Sequence, residues 1–201
     1  MFSFKSLAFA AAVAFGIFTT AYAAPTVGSE LVSRCDSGCR SVPVILAEVQ
    51  AQITPLALEL KYLTKANATV EVITPICSEM KEIFAGAIVE VNLLIGASVS
   101  VILAGCTVAE LSALIGGILC LVFGVIGHVL AIVDVALYVV VCALLTAVAE
   151  VLGSLILVVI NLCGGLLVGL VLAIVAHIVV VIDVILKLKV HVLINLFGLH
   201  L

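Results

Sequence analysis

Two histidine–aspartate pairs are the elements of this chain closest to chemistry: His128 with Asp134, and His177 with Asp183. An imidazole bonded to a carboxylate is the working part of many general-base and proton-relay sites. The spacing argues against that role here. Six residues of α-helix turn through about 600°, so each His and its Asp lie on different faces and cannot meet within one helix. Both pairs are expected instead as polar groups satisfied across helix contacts, with His191 and His200 at a surface or interface. Ser98, Ser100, Ser112 and Ser154 lack the G-x-S-x-G setting of a nucleophile, and a phosphate loop needs a lysine that this region does not contain. Glu90, Glu110 and Glu150 are too far apart along the chain to define a shared carboxylate site. No catalytic residue and no cofactor are expected, and the protein is expected not to be an enzyme.

The seven cysteines, Cys35, Cys39, Cys77, Cys106, Cys120, Cys142 and Cys163, form no C-x-x-C or Cys/His cluster, so a metal site is not expected either. Cys35, Cys39 and Cys77 occupy the polar third and are the candidate disulfide formers, with connectivity left open by spacing alone. The other four sit in apolar surroundings, where cysteine behaves as a small hydrophobe. Asn67-Ala68-Thr69 is a candidate glycosylation sequon.

The elements that must position these residues are unusually apolar. Hydrophobic residues make up 66% of the 201, against roughly 45–50% in ordinary soluble domains. Mean hydropathy is +1.52. From Ile83 to Leu186 there is no lysine or arginine and only five acids. The net charge of −4 disfavours attraction to nucleic acid, which is not expected as a partner. Met1 to Lys5, the apolar run Leu7 to Phe18 and Ala21-Tyr22-Ala23 read as a signal peptide over 1–23, which implies export. A polar, cysteine-containing amphipathic segment follows over 24–82, and a hydrophobic segment over 83–201.

Two echoes organise these parts. Ile53-Thr54-Pro55 with Glu59 and Lys61 recurs twenty residues on as Ile73-Thr74-Pro75 with Glu79 and Lys81. Thr before Pro reads as a helix start, which predicts helices near 43–53, 55–66 and 75–96. The second echo has a period of 49: Gly116, Cys120, Gly124 and His128 correspond to Gly165, Gly169, Ala173 and His177. Small residues four apart make a candidate helix-packing ridge in each copy. Gly116-Gly117 and Gly164-Gly165 read as interruptions or connections between helices.

The fold class expected is all-α: a bundle of short polar amphipathic helices followed by long Val/Ile/Leu-rich ones, because the apolar runs lack the alternation of a half-buried strand. A β-rich stacked form on a surface remains open, since windows such as Ile178 to Ile182 are β-branched and uncharged. Three runs are long enough to cross a bilayer: Val91 to Ala109, Leu111 to Val133 and Val151 to Ile182. A polytopic protein with about three to five spanning helices is therefore one reading, although loops without Lys or Arg carry almost no orientation signal and no Trp/Tyr belt is present. A membrane-inserting secreted factor is another.

The layout of the whole chain, with its leader ending at Ala21-Tyr22-Ala23, charged stretch from Glu30 to Glu82 and greasy stretch from Ile83 onward, resembles a group of small secreted structural proteins of mushroom-forming fungi. Hydrophobins themselves do not match, because they carry eight cysteines with adjacent pairs. The resemblance implies a coat on hyphal walls that makes them water-repellent or adhesive, beside hydrophobins, in aerial growth and attachment. Its partners would be further copies of itself, cell-wall polymers and hydrophobic interfaces, with a lipid bilayer as partner in the spanning alternative. A bundle that hides its apolar ridges in water and opens at an interface would supply the mechanism, at roughly 25 cal/mol per Å² of apolar area removed from water.

Overall fold

A computed structural model describes residues 40–163 and 169–199. Among the described residues every regular element is helical, so the all-α expectation holds. The helices are α1 (Val42–Lys61), α2 (Val70–Leu93), α3 (Val99–Leu103), α4 (Val108–Ile132), α5 (Tyr138–Cys163), α6 (Leu170–Ile178), α7 (Ile182–Leu188) and α8 (His191–Phe197). A 3₁₀ turn over Val179–Val181 joins α6 to α7. The proposed leader, together with Cys35, Cys39, Gly164, Gly165 and His200, lies outside the described residues.

Two helix starts show how local chemistry sets the elements. α4 opens on a capping box: Thr107 Oγ1 accepts from the Glu110 N–H at 3.3 Å, and Glu110 Oε2 accepts from the Thr107 N–H at 2.9 Å. Two otherwise orphaned donors are satisfied at once. α1 has Pro43 in its first turn, where the missing N–H costs nothing.

The Ile-Thr-Pro echo turns out to be a different device from the one expected. α1 and α2 are each continuous, and Pro55 and Pro75 lie inside them. Proline removes one backbone donor and crowds the preceding turn. At both sites the neighbouring threonine turns its hydroxyl back onto its own helix: Thr54 Oγ1 donates to Gln50 O and Thr74 Oγ1 to Val70 O, each at 2.6 Å. The threonines cap no helix start; they bond carbonyls of the disturbed turn. The predicted break between 43–53 and 55–66 is therefore absent.

The composition boundary at 82/83 is also not a structural one, since Glu82 and Ile83 are consecutive residues of α2. Polar and apolar segments share helices because each amphipathic helix needs an apolar partner. The supposed apolar span from Val91 to Ala109 does not form. α2 stops at Leu93, α3 is five residues long, and left-handed Ala104 and Gly105 turn the chain into α4. The run from Val151 to Ile182 is divided between α5, α6 and the 3₁₀ turn.

α4 and α5 occupy the middle of the molecule. α1 packs on α4 and α2 packs on α5 along one side; α6 and α7 pack on α4, and α8 on α5, along another. Direction follows from individual contacts. Arg40, just before α1, bridges Glu48 and Glu90, so α1 and α2 are antiparallel. Gln50 lies beside Gly117, and the Leu63 carbonyl, just after α1, meets His128 Nε2 at 3.2 Å, so α1 and α4 run the same way. The five-residue turn 133–137 then returns α5 antiparallel to α4. Eleven residues of α4 and eleven of α5 are buried, among them Phe123, Leu119, Leu152 and Ile156, which makes this pair the centre of the core.

Candidate functional site

The feature with functional content is a surface with two characters. On one side the outer faces of α1 and α2 carry Glu48, Glu59, Lys61, Glu71, Glu79, Lys81, Glu82 and Glu90. Their inner faces are apolar: Ile45, Leu46, Val49, Ile53 and Leu60 of α1, and Ile73, Ile76, Met80, Phe84 and Val91 of α2, are buried. Helical periodicity sorts the two sets, and burial of the apolar set holds this polar layer to α4 and α5. Arg40 ties the open end of the α1–α2 hairpin through its two glutamates.

Elsewhere large aliphatic side chains face outward. Val135 is 88% exposed at the α4–α5 turn, with Val139 and Val140 following it at the start of α5. Leu172 in α6 and Val179 and Val180 in the 3₁₀ turn are likewise exposed. A further group, Val89, Leu93, Ile95 and Val99, runs from the end of α2 into α3. Three stretches are long and apolar enough to cross a membrane: Val108–Ile132, Tyr138–Cys163 and Leu170–Leu188.

Two grooves open on the surface of the described residues. The larger, about 700 Å³, lies between the starts of α1 and α4 and is lined by Ser41, Val44, Leu103, Cys106, Glu110 and Leu114 among others. Glu110 is committed to the capping box, and Cys106 donates to its neighbour's carbonyl, Thr107 O, at 3.6 Å. The buried Ser41 hydroxyl has no hydrogen-bond partner among the described residues. The smaller groove, about 280 Å³, runs between α1 and α2 beside Glu48, Glu82 and Glu90. Among the described residues no group of three His, Cys, Asp or Glu could hold a metal ion.

The structure separates the residues singled out by sequence. His128 is half-buried and satisfied across helices by the Leu63 carbonyl, while Asp134 accepts from the Ala136 N–H at 3.3 Å in the following turn. His177 and Asp183 are both exposed. Asn67 is exposed in the turn between α1 and α2, its Oδ1 accepting from the Thr64 N–H and hydroxyl.

Of the candidate ridge, Gly116 and Cys120 lie against α6. A Cβ on Gly116 would stand 2.5 Å from His177 Cβ, and Cys120 Sγ donates to His177 O at 3.3 Å, so α6 lies almost backbone to backbone on α4 here. It does not extend further: Gly124 is exposed with open space beside it, and Gly169 is the left-handed residue (φ +87°) that starts α6. Ala173 is half-buried in α6. Gly116-Gly117 interrupts nothing, being internal to α4. In sequence Gly116 reads both as ridge and as interruption; its place inside α4 fits a glycine that permits close approach and not one that breaks the helix.

Cys77, a candidate disulfide former, is a free thiol among the described residues, buried to 1% exposure in α2, while Cys35 and Cys39 lie outside them. Its side chain faces the core, and burial pushes the thiol up to about 11 from the usual 9.0. At neutral pH this lowers the thiolate fraction on the order of 100-fold, so alkylation of Cys77 in the folded protein is expected to be at least that much slower than in urea. Mass-spectrometric timing of iodoacetamide addition checks this, and equal rates in both states would place Cys77 at the surface.

No protein-family model, curated protein or solved structure matches this chain. The class rests on the structure alone: an all-α bundle whose longest, most apolar helices are covered by an amphipathic, charged pair.

Proposed function

We propose that this is an interface-active structural protein, acting by spreading and self-association where water meets an apolar phase. The observation that carries this reading is that the polar layer lies lengthwise on the apolar pair. The charges of α2 extend from Glu71 to Glu90, about 28 Å at 1.5 Å per residue. That is nearly the full depth of a bilayer's hydrocarbon, about 30 Å. If the folded body spanned a membrane with α5 upright, Glu79, Lys81 and Glu82 would sit near its middle, at roughly 2.5–3.5 kcal/mol each. At a boundary no such conflict arises. The charged faces of α1 and α2 stay wet, while the exposed valines and leucines of the α4–α5 turn, α6 and the 3₁₀ turn meet the apolar side.

Secretion to a cell wall, a coat on aerial hyphae, glycosylation at Asn67 and a structural rather than catalytic role are the specific form of this proposal, supported by the resemblance in layout to the mushroom proteins. Purified protein is then expected to lower the surface tension of water and to make a hydrophobic solid wettable at concentrations where globular proteins of similar size do neither. Absence of both effects rejects the reading. The second reading, an integral membrane protein, is favoured by the three apolar stretches long enough to span. Fractionation separates the two: recovery from medium and detergent-extracted wall supports the coat, and recovery only in carbonate-washed membranes supports the spanning protein.

A further inference from the structure

We propose that α4 and α5 form a bilayer-insertion hairpin held in reserve, which leaves the bundle on contact with phospholipid and crosses the hydrocarbon core as an antiparallel pair while the α1–α2 layer stays in water. The proposal rests on the interface-active reading and adds a specific partner, a phospholipid bilayer, and a specific moving part.

Length fits first. α4 has 25 residues and α5 has 26, about 38 and 39 Å of helix, enough to cross with tilt. The helices already lie side by side, antiparallel, joined by only 133–137. Neither contains lysine or arginine. Of the carboxylates, Glu110 lies in the first turn of α4 and stays at the near headgroups, and Asp134, in the turn, is the only charged side chain carried across. Glu150 alone would reside at depth; in the bundle its Oε1 accepts from the His191 N–H at 3.2 Å. His128 lies toward the turn end of α4 and would move to the far interface, giving up its contact with Leu63.

The two serine hydroxyls of the pair are already bonded within their own helices. Ser112 Oγ donates to Ala109 O at 3.0 Å and Ser154 Oγ to Glu150 O at 2.9 Å, each within its own helix, so these bonds travel with the helix. Backbone donors are likewise satisfied internally. The aliphatic faces that α4 and α5 now bury against α1, α2 and α6 exchange one apolar surrounding for another. α1 and α2 cannot follow, because their outer faces hold six glutamates and two lysines. The α6–α7 stretch is a poorer insertion unit, being interrupted at Val179–Val181 and carrying Asp183 and Lys187.

The chain has no tryptophan, so single-tryptophan variants report depth cleanly. L121W, at mid-α4, and L58W, on the outer face of α1, are mixed with phosphatidylcholine vesicles carrying bromine at shallow or deep acyl positions. Insertion predicts strongest quenching of L121W by deep bromines, with L58W remaining accessible to aqueous acrylamide. Ala147 is exposed in the bundle and central in α5, so A147R should leave the folded protein intact by circular dichroism while lowering the inserted fraction on the order of 100-fold. A51R, the same charge on the exposed face of α1, should change nothing. Vesicle binding with only shallow quenching overturns insertion and leaves the interface reading standing. Deep quenching unaffected by A147R also overturns it. Lack of binding to vesicles together with unchanged surface tension overturns both.

Discussion

Truncating Phe123 to alanine is expected to destabilise the bundle by about 3–5 kcal/mol, the range for removing a fully buried aromatic ring. Phe123 is completely buried near the middle of α4, the helix against which α1, α5, α6 and α7 all pack. Collapse around the void is limited because Gly116 and Cys120 already hold α6 at close range to the same helix. Urea unfolding followed by helical circular dichroism measures the loss, with Leu172→Ala, exposed in α6, as the comparison expected to change stability by no more than about 0.5 kcal/mol. A loss below about 1 kcal/mol for Phe123→Ala would mean that α4 is not the central element.

Ile73→Asp should act on the polar layer as Phe123→Ala acts on the core. Ile73 is fully buried on the inner face of α2, within the surface that rests on the apolar half of the molecule. Lys81, the lysine of the same helix, lies eight residues further on at a less buried position and does not compensate a carboxylate there. An uncompensated buried charge costs on the order of 3–5 kcal/mol, and α2 relieves it by lifting off α5. The expected result is a protein that keeps most of its helix but binds a hydrophobic dye and partitions onto vesicles far more readily. Val72→Asp, one position away and exposed, should do neither. If both variants behave alike, the polar layer is not what keeps the apolar pair covered.

Much of this architecture was legible in the residues. Apolar runs without alternation gave the long helices, and the Leu56, Leu60 and Leu63 stripe gave the inward face of α1, all three being buried. Gly116 and Cys120 announced a close helix contact, although their partner proved to be α6, met at His177. Three features escaped. Pro55 and Pro75 read as starts because local preference favours proline in a first turn, whereas burial of Leu46, Val49, Ile53 and Leu56 on one face carries α1 through the interruption. The depth of Cys77 escaped because it keeps polar neighbours in sequence, yet a helix turns consecutive residues to different faces and its own face is the inner one. The pairing of the charged helices with the greasy ones was invisible because composition divides the chain at 82/83, while packing is decided between segments far apart in sequence.

The two prolines stand almost symmetrically about the turn between α1 and α2, Pro55 six residues before Lys61 and Pro75 five after Val70. Each weakens the backbone ladder of its helix at a matching height, which leaves the stretch from about 56 to 74 as a flap with a crease at either root. His128 of α4 meets this stretch at the Leu63 carbonyl, whereas Arg40 ties α1 to α2 at the opposite end of the hairpin. Because Arg40 ties α1 to α2 and not to α4 or α5, loss of the His128 contact would let the creased stretch lift by itself, uncovering the turn end of α4 while the two helices stay joined at their far end.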